Sequence, residues 1–276
     1  MNRDTGGHTA TRRIDYDRIA PSYDQRFAFS PMERVVAALQ ALAQDLGASR
    51  ILEVGCGTGR YLADLCPDTD RCCGLDTSMG MLHQAHERSS RLHLVRGRAC
   101  QIGFVDAVFN LVYCVNAIHH FDDPRAFIGE AHRVLEPDGV LAVMGSNPHD
   151  PADRWYVYDY FEGTIQTDLE RFPSWGTVVD WMIAAGFQVV EWRLIQRIVD
   201  HKVGREVLDD PFLQKSACSQ LALLSNDAYT AGLRRIEGAV EEAAMRGETV
   251  LFPVDLRIGA IIARHRSRDY GIGTRS

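Results

Sequence analysis

Between residues 51 and 147, five short apolar runs alternate with segments in which apolar residues recur at the spacing of one face of a helix. The first run, ILEVG (51–55), leads into a glycine-rich loop, and the second, RCCGLD (71–76), ends in residues that favour a helix start. This alternation is the pattern of an α/β fold in which helices cover both faces of a parallel sheet. Ligands of such sheets bind beyond the carboxyl ends of the strands, so we expect a functional site where these runs end.

The chain after residue 147 contains two further strand-like segments. QVVEWRLIQRIV (188–199) and VDLRIGAIIARH (254–265) alternate apolar and polar residues, which is typical of strands with one exposed face. They complete the prediction of a doubly wound, mostly parallel, seven-stranded sheet. The predominantly helical segment between them predicts a lid over the cleft. We therefore expect an N-terminal lid segment (1–30), a core (31–202 and 251–276) and a helical insertion (203–250).

Three glycines follow the first strand at alternate positions, Gly55, Gly57 and Gly59. The dinucleotide fingerprint G-x-G-x-x-G needs a small third residue for close helix–strand packing. Here Arg60 stands at that position, and the third glycine comes one residue early. The spacing therefore disfavours a nicotinamide-dependent oxidoreductase, which is the least favoured of the functional alternatives.

The acidic residues around this loop favour a nucleoside that carries an amino-acid tail. Glycine N–H groups near a helix start can bind a carboxylate, and Glu53 supplies a negative charge for an ammonium group. Asp76, which ends the second strand, is placed to accept hydrogen bonds from both hydroxyls of a ribose. The ligand that combines these groups is S-adenosylmethionine.

Several motifs together resemble the class I S-adenosylmethionine-dependent methyltransferases. They are EVGCGTGR followed by GLDTSM, together with YDRIAPSYD (16–24), NAIHHFDDP (116–124) and LEPDGVL (135–141). Within that family the chain is similar to the group typified by the ubiquinone and menaquinone biosynthesis methyltransferases, over roughly residues 14–147. The resemblance implies a Rossmann-like methyltransferase fold, S-adenosylmethionine as the cofactor and methyl transfer as the reaction.

The resemblance also implies roles for individual residues around the cofactor. The methionine part would lie on the backbone of the glycine loop with its ammonium near the acidic residue, the ribose on Asp76, and the sulfonium near the end of the fourth strand. Met81 would pack on the adenine, although a core role is an equal alternative, and Tyr23 would close over the cofactor. The implied cofactor-binding residues are Tyr23, Glu53, Gly55, Cys56, Gly57, Asp76, Thr77, Met81, Val115, Asn116 and Ala117.

One segment departs from the pattern of the family. Relatives usually carry Gly-Asp-Ala after the third strand, where the Asp accepts a hydrogen bond from the adenine amino group. This chain has Gly97, Arg98 and Ala99, and an arginine cannot accept a hydrogen bond. Two alternatives follow: backbone atoms hold the adenine, or Arg98 stacks on it. Arg98 and Ala99 are therefore retained as candidate cofactor-binding residues.

The chemistry of methyl transfer requires a base only when the acceptor must lose a proton. His119 and His120 are the candidate catalytic residues because an imidazole titrates near neutral pH. The alternative is that one histidine packs in the turn and the other shapes the cofactor pocket. The sequence Asp122-Asp123-Pro124 favours a helix start over a metal site, and we expect no bound metal.

An aromatic patch directly follows the fifth strand. Trp155, Tyr156 and Tyr160 are the candidate substrate-binding residues because aromatic side chains commonly wall an apolar acceptor pocket. The competing interpretation is a lid helix whose aromatic face packs on the core. The acceptor is expected to be a small molecule methylated on carbon, oxygen or nitrogen. A protein of this fold that binds the cofactor for another reaction, or only senses it, is the main alternative.

Composition narrows the remaining alternatives. The formal net charge of −7 argues against a general nucleic-acid binder. The chain contains no apolar run near the ~20 residues of a membrane span, and we predict a cytoplasmic protein. The seven cysteines lack CxxC spacing, so we expect buried, reduced thiols. Helical lids of such folds can form dimer surfaces, so a homodimer is possible.

Overall fold

The computed structural model of the chain describes residues 14–28, 32–66 and 71–265. Eight strands form a single sheet. The predicted seven strands are present, and the additional one is the two-residue strand β6. The strands are β1 (Ile51–Val54), β2 (Cys72–Asp76), β3 (His93–Arg96), β4 (Phe109–Val115), β5 (Leu135–Ser146), β6 (Arg154–Trp155), β7 (Val189–Val203) and β8 (Leu251–Arg264).

Ten α-helices connect and extend these strands within the described residues. They are α1 (Tyr16–Ile19), α2 (Glu33–Asp45), α3 (Arg60–Leu65), α4 (Met79–Arg88), α5 (Pro124–Val134), α6 (Tyr156–Tyr160), α7 (Thr164–Arg171), α8 (Trp175–Ala185), α9 (Ser219–Ala222) and α10 (Asn226–Met245). Short 3₁₀ segments cover Ala20–Ala28, Ile118–His120, Gly204–Asp209 and Pro211–Leu213.

The order of the strands is β3-β2-β1-β4-β5-β8-β6, and β7 pairs with β8. Strands β1 to β5 are parallel, whereas β6 and β7 are antiparallel to β8 and β8 is antiparallel to β5. The chain winds outward from β1 to β3 and then crosses to β4 on the other side of β1. This reversal opens a crevice at the carboxyl ends of β1 and β4, where doubly wound sheets bind their ligands.

Both faces of the sheet are buried, which explains the continuous apolar character of the central strands. Val112 and Cys114 of β4 pack on one side with Phe127 of α5. Tyr113, the residue between them, belongs to the cluster on the other side together with Leu39 of α2. All five side chains are fully buried. The α/β class and the doubly wound arrangement predicted from the sequence are confirmed.

A third apolar cluster lies outside the two faces of the sheet. Residues 154–172 and 204–250, which we call the cover, pack together through Tyr156, Phe161, Ile236 and Phe252, the last of these on β8. The inserted segment leaves the sheet after Val203, which pairs with Leu251, the residue where the chain returns. The predicted division into lids and core remains a prediction, and its residues 1–13, 29–31, 67–70 and 266–276 fall outside the described part.

One prediction about the cysteines is wrong. Cys66 follows α3, Cys72 opens β2, and the two form a disulfide. The turn from helix to strand brings their Cα atoms to 6.4 Å, within the range of disulfides, and linear spacing does not reveal this proximity. The free thiols are those of Cys56, Cys73, Cys100, Cys114 and Cys218.

Candidate functional site

The glycine loop after β1 is shaped by left-handed backbone conformations. Gly55, Gly57 and Gly59 have φ angles of 73°, 52° and 68°, a region that L side chains rarely adopt. A Cβ atom on Gly55 would lie 2.7 Å from Cβ of Ala117, and one on Gly59 would lie 2.9 Å from Cβ of Ala85. At Gly57 no atom of the described residues lies within 4 Å of such a Cβ. Gly55 and Gly59 are therefore required for packing, whereas Gly57 leaves space for a ligand.

Asp76 connects the ends of β1 and β2. Its Oδ2 accepts the N–H of Gly57 at 2.9 Å, and its Oδ1 accepts the N–H of Ser78 at 2.9 Å. Burial raises the pKa of this carboxyl group, and the backbone donors partly oppose that shift. The side chain therefore fixes the glycine loop and the start of α4 while it faces the cleft.

Glu53 is a buried acid directly beneath the glycine loop. Its side chain is 1% exposed, and the hydroxyl of Tyr113 donates to Oε2 at 3.1 Å. Burial raises the pKa of Glu53 well above its usual value, and nearby Asp76 adds to the rise. A cationic group that approached this carboxyl would lower its pKa again, so the residue is suited to an ammonium ligand.

A cavity of about 560 Å³ lies at the carboxyl ends of β1 to β4. Two of the predicted cofactor residues, Glu53 and Cys56, do not line this cavity. Glu53 is hydrogen-bonded to the hydroxyl of Tyr113, and the side chain of Cys56 packs against Gly74 of β2. Their roles remain predictions. The predicted residues that line the cavity are Tyr23, Gly55, Gly57, Asp76, Thr77, Met81, Arg98, Ala99, Val115, Asn116 and Ala117.

These residues fit S-adenosylmethionine in shape and in chemistry. The loop at Gly57 offers space where a side chain would otherwise stand, and Asp76 offers carboxylate oxygens for a ribose. Met81 and Ala99 give the cavity apolar walls suited to a purine. The buried acid Glu53 lies below the loop, where an ammonium group would compensate its charge.

A second cavity, of about 430 Å³, lies between the sheet and the cover. Trp155, Tyr158 and Phe172 contribute aromatic lining, and Phe212 and Cys218 come from the inserted segment. Among the polar lining residues, Lys202 donates to Asp200 at 2.7 Å. This mixture of aromatic and hydrogen-bonding groups is that of a small-molecule pocket.

Two of the three predicted substrate residues are misplaced. Tyr156 is fully buried, and its hydroxyl donates to Asp210 at 2.7 Å. Tyr156 and Tyr160 are one helical turn apart, so both face Phe252, with ring centroids at 5.8 and 5.1 Å. Trp155 does line the second cavity, together with Tyr158. The competing interpretation, an aromatic face that packs inward, is therefore correct for Tyr156 and Tyr160.

The two cavities meet at four residues that line both of them: Tyr16, Tyr23, Asn116 and His120. The hydroxyl of Tyr16 forms a hydrogen bond with Nε2 of His120 at 2.8 Å. His119 lines only the second of the two cavities described and stacks on Phe172 at a centroid distance of 3.7 Å. His120 is therefore placed at the junction, whereas His119 belongs to the wall of the second cavity.

Asn116 reaches this junction through an unusual backbone conformation. It follows β4 with a φ of 49°, a left-handed value that asparagine tolerates better than most residues. Its N–H donates to the carbonyl of Met144 on β5 at 2.9 Å, which holds the turn against the sheet. Strained residues of this kind cluster at functional sites.

Two aspartates fix the N-terminal segment over the first cavity, the one at the carboxyl ends of β1 to β4, which we call the cofactor cavity. Asp17 accepts the hydroxyl of Ser78 at 2.7 Å and the N–H of Gly80 at 2.6 Å, and these donors lower the pKa of Asp17. Asp24 accepts the hydroxyl of Thr58 at 2.7 Å and forms an ion pair with Arg88. Because of these contacts, the tyrosines of this segment sit above the junction. Tyr16 is not among the site residues predicted from the sequence, although it lines both cavities.

The comparisons with known proteins agree with this geometry. A family model for a methyltransferase domain matches residues 52–143. The chain is 32% identical over 139 residues to the malonyl-[acyl-carrier protein] O-methyltransferase of Dechloromonas aromatica, a match that covers 49% of this chain and 50% of that protein. It is 28% identical to the demethylmenaquinone methyltransferase of Chlorobaculum parvum over 64% of this chain and 84% of that protein. The crystal structure of the YcgJ protein from Bacillus subtilis shares the fold, with a TM-score of 0.57 and 18% identity, over 84% of this chain and 99% of that chain.

The matches to a methyltransferase domain and to proteins named methyltransferases confirm the predicted resemblance to the class I S-adenosylmethionine-dependent methyltransferases. S-adenosylmethionine is confirmed as the cofactor of that family. The matched regions span 31 to 58% of the length of four of the curated relatives. In the described part of the chain, no helix has the length and apolarity to cross a membrane.

Proposed function

We propose that this protein transfers the methyl group of S-adenosylmethionine to a small organic acceptor held in the cavity beneath the cover. The observation that carries the proposal is the junction of the two cavities at Tyr16, Tyr23, Asn116 and His120. A donor on the glycine loop and an acceptor beneath the cover would meet there, as an in-line displacement requires.

The lining of the second cavity supports an acceptor with aromatic or other apolar character. Trp155, Tyr158 and Phe172 present rings, which favour stacked or edge-on contacts with a planar ligand. The volume of about 430 Å³ lies in the range of small-molecule pockets. One relative is named a demethylmenaquinone methyltransferase, and an acceptor of that kind belongs to the same class.

The residues at the junction can align the acceptor and hold its proton. When bound, S-adenosylmethionine supplies an activated methyl group. Tyr23 and Asn116 line the junction at which donor and acceptor would meet, and a closed site there would keep water from the reacting groups. His120, oriented by the hydroxyl of Tyr16 at 2.8 Å, would accept the proton of an acceptor hydroxyl or amine. His119, stacked on Phe172, would form a wall of the acceptor site.

The cofactor half of the proposal is tested by calorimetric titration with S-adenosylhomocysteine. Wild type should bind it, and Asp76→Ala should bind at least about a hundredfold more weakly because a charged hydrogen-bonding partner is lost together with the order of the loop. Asp123→Asn is a matched control, since Asp123 caps α5 by accepting the N–H of Ala126 and asparagine also caps helices. No binding by wild type would contradict the proposal.

The proposal that the second cavity binds the methyl acceptor is tested with three naphthalene compounds that differ only in the group to be methylated: 1-naphthol, 1-naphthylamine and 1-naphthoic acid. Transfer of labelled methyl from S-adenosylmethionine to at least one of them is expected, and His120→Gln should reduce the rate about a hundredfold, within the range of general-base catalysis. His83→Gln is the matched control because His83 is exposed and pairs with Glu87 on α4. Tight binding of S-adenosylhomocysteine without transfer to any probe would favour a reaction other than methylation of such acceptors.

A further inference from the structure

The far end of the cofactor cavity is formed after β3. Because the sheet runs β3-β2-β1, a ligand with its tail on the β1 loop and its ribose on Asp76 places its base toward the end of β3. There the chain turns sharply, and the N–H of Gln101 donates to the carbonyl of Arg98 at 3.1 Å. Arg98, Ala99 and Asp122 line this end of the cavity.

The chemistry of this end must match the edge of an adenine ring. The exocyclic amino group of adenine is a hydrogen-bond donor, so a site that selects adenine has to present an acceptor. Arg98 offers donors alone. Its Nη2 lies 2.7 Å from Oδ2 of Asp122, which belongs to the loop between β4 and α5. A carboxylate acceptor is therefore present at this end of the cavity, but Asp122 supplies it from a different loop than the one that carries Arg98.

We infer that Asp122 accepts the hydrogen bond from the adenine amino group and that Arg98 positions its carboxylate. A carboxylate has about four lone-pair sites, so the ion pair with Arg98 leaves capacity for a further donor. The Arg98 side chain is 60% exposed and that of Asp122 is 23% exposed, and exposed ion pairs add little to stability. We therefore assign the Arg98–Asp122 ion pair to the selection of adenine, not to the stability of the fold. This inference rests on the proposed cofactor site.

The experiment compares S-adenosylhomocysteine with S-inosylhomocysteine, in which a carbonyl oxygen replaces the amino group. Wild type should prefer the adenosyl compound. Asp122→Asn should reduce that preference about tenfold, because it removes a charged acceptor and its amide can donate to the inosine oxygen. Arg98→Ala should reduce the preference less, since the carboxylate remains but is no longer held. Asp123→Asn is again the matched control and should leave the ratio unchanged.

A charge-reversed variant, Arg98→Asp with Asp122→Arg, moves the acceptor to position 98 and should restore the preference for the adenosyl compound. The inference is overturned if Asp122→Asn and Arg98→Ala both keep the wild-type ratio of the two dissociation constants while S-adenosylhomocysteine still binds. Failure of wild type to bind either compound would instead contradict the proposed function itself. The two failures are therefore distinguishable in one set of titrations.

Discussion

The two cavities of this protein are built by different means. The cofactor cavity is shaped by backbone at strand ends: three left-handed glycines, the turn at Asn116 and the hydrogen bonds of Asp76. The second cavity, for which we propose the acceptor and which we call the acceptor cavity, is shaped by side chains of the cover, which has its own apolar cluster around Phe161 and Ile236. The first is therefore specified by local sequence, and the second depends on how distant segments pack.

This contrast explains where each cavity is sensitive to substitution. A strand-end loop tolerates few backbone changes because its conformation is excluded for most residues. The cover tolerates changes of surface residues but not of the contacts that hold its helices together. Substitutions that separate these effects should show whether the two cavities are energetically independent.

The largest expected effect is a difference between Gly55 and Gly57 of the same loop in how substitution changes binding and stability. Gly57→Ala adds a Cβ where the described structure has open space within 4 Å, so we expect S-adenosylhomocysteine binding to fall about a hundredfold while stability falls by about 1–2 kcal/mol from backbone strain. Gly55→Ala adds a Cβ 2.7 Å from that of Ala117, and should lose more stability. Titration calorimetry and chemical denaturation measure the two effects.

The matched variant for this comparison is Gly55→Ala combined with Ala117→Gly. Removing the Cβ of Ala117 relieves the closest overlap, so the double variant should recover part of the stability lost in Gly55→Ala. Equal binding losses and equal stability losses in the two single variants would contradict the distinction between a packing glycine and a ligand-facing glycine.

The next effect tests the cover alone. A Cβ on Gly232 of α10 would lie 2.2 Å from the ring of the buried Phe161, so Gly232→Ala should destabilise the cover by about 1–3 kcal/mol. Gly238→Ala on the same helix has no described atom within 4 Å and should instead stabilise by about 1 kcal/mol. Hydrogen exchange over residues 204–250 measures the difference.

If the two regions are independent, S-adenosylhomocysteine should bind both α10 variants as tightly as wild type. A large loss of cofactor binding in Gly232→Ala would show that the cover and the cofactor cavity fold as one unit, and the contrast between them would then be incorrect.

The same contrast decides what the sequence could predict. The glycine loop, Asp76 and Asn116 follow from strand ends and residue type, so their place in the cofactor cavity was predictable. Tyr16 was missed because its partner His120 is 104 residues away. The aromatic patch does not reveal which of its side chains face inward. Trp155 was predicted and lines the cavity, whereas Tyr156 and Tyr160 do not line it and Tyr158, which does, was not predicted. Contacts between distant segments leave no local signal.

A smaller effect concerns the junction. Tyr16→Phe removes the hydroxyl that bonds Nε2 of His120, so the rate of methyl transfer should fall about tenfold, the size of one neutral hydrogen bond. Binding of S-adenosylhomocysteine should change by less than twofold, so the loss should appear in kcat because the hydroxyl no longer orients the imidazole. Tyr229→Phe is the control, because it removes a hydroxyl that donates to the carbonyl of Leu213 and Tyr229 lines neither of the two cavities. An unchanged kcat for Tyr16→Phe would count against the role of this pair.

The smallest expected effect is the pH dependence of stability from Glu53. Its pKa is raised in the folded state by burial, so its stabilising contribution is complete below the unfolded value of about 4.5 and is lost as pH rises through the folded value. Glu53→Gln should therefore unfold at higher temperature than wild type at neutral pH in the absence of ligand, with the gap closing toward pH 4.

The contribution of Glu130 to stability has the opposite dependence on pH, and this residue serves as the control. Hydrogen bonds from Arg133 lower its pKa, so its contribution is present above its unfolded pKa and is lost as pH falls through the folded value. Glu130→Gln should lower the unfolding temperature at neutral pH. In addition, wild type should release a proton on binding S-adenosylhomocysteine, seen as a binding enthalpy that depends on the buffer, and Glu53→Gln should not.

The pairing of Val203 with Leu251 has a consequence for how such proteins diversify. The chain leaves and re-enters the sheet at two neighbouring points, which lie about 5 Å apart in paired strands. A segment whose ends meet that spacing and whose apolar face packs on Phe161 and Phe252 would be able to replace residues 204–250 without altering the strand order. Since Asp210, Phe212 and Gln220 of this segment line the acceptor cavity, exchanging one module would change the choice of acceptor and leave the methyl donor in place.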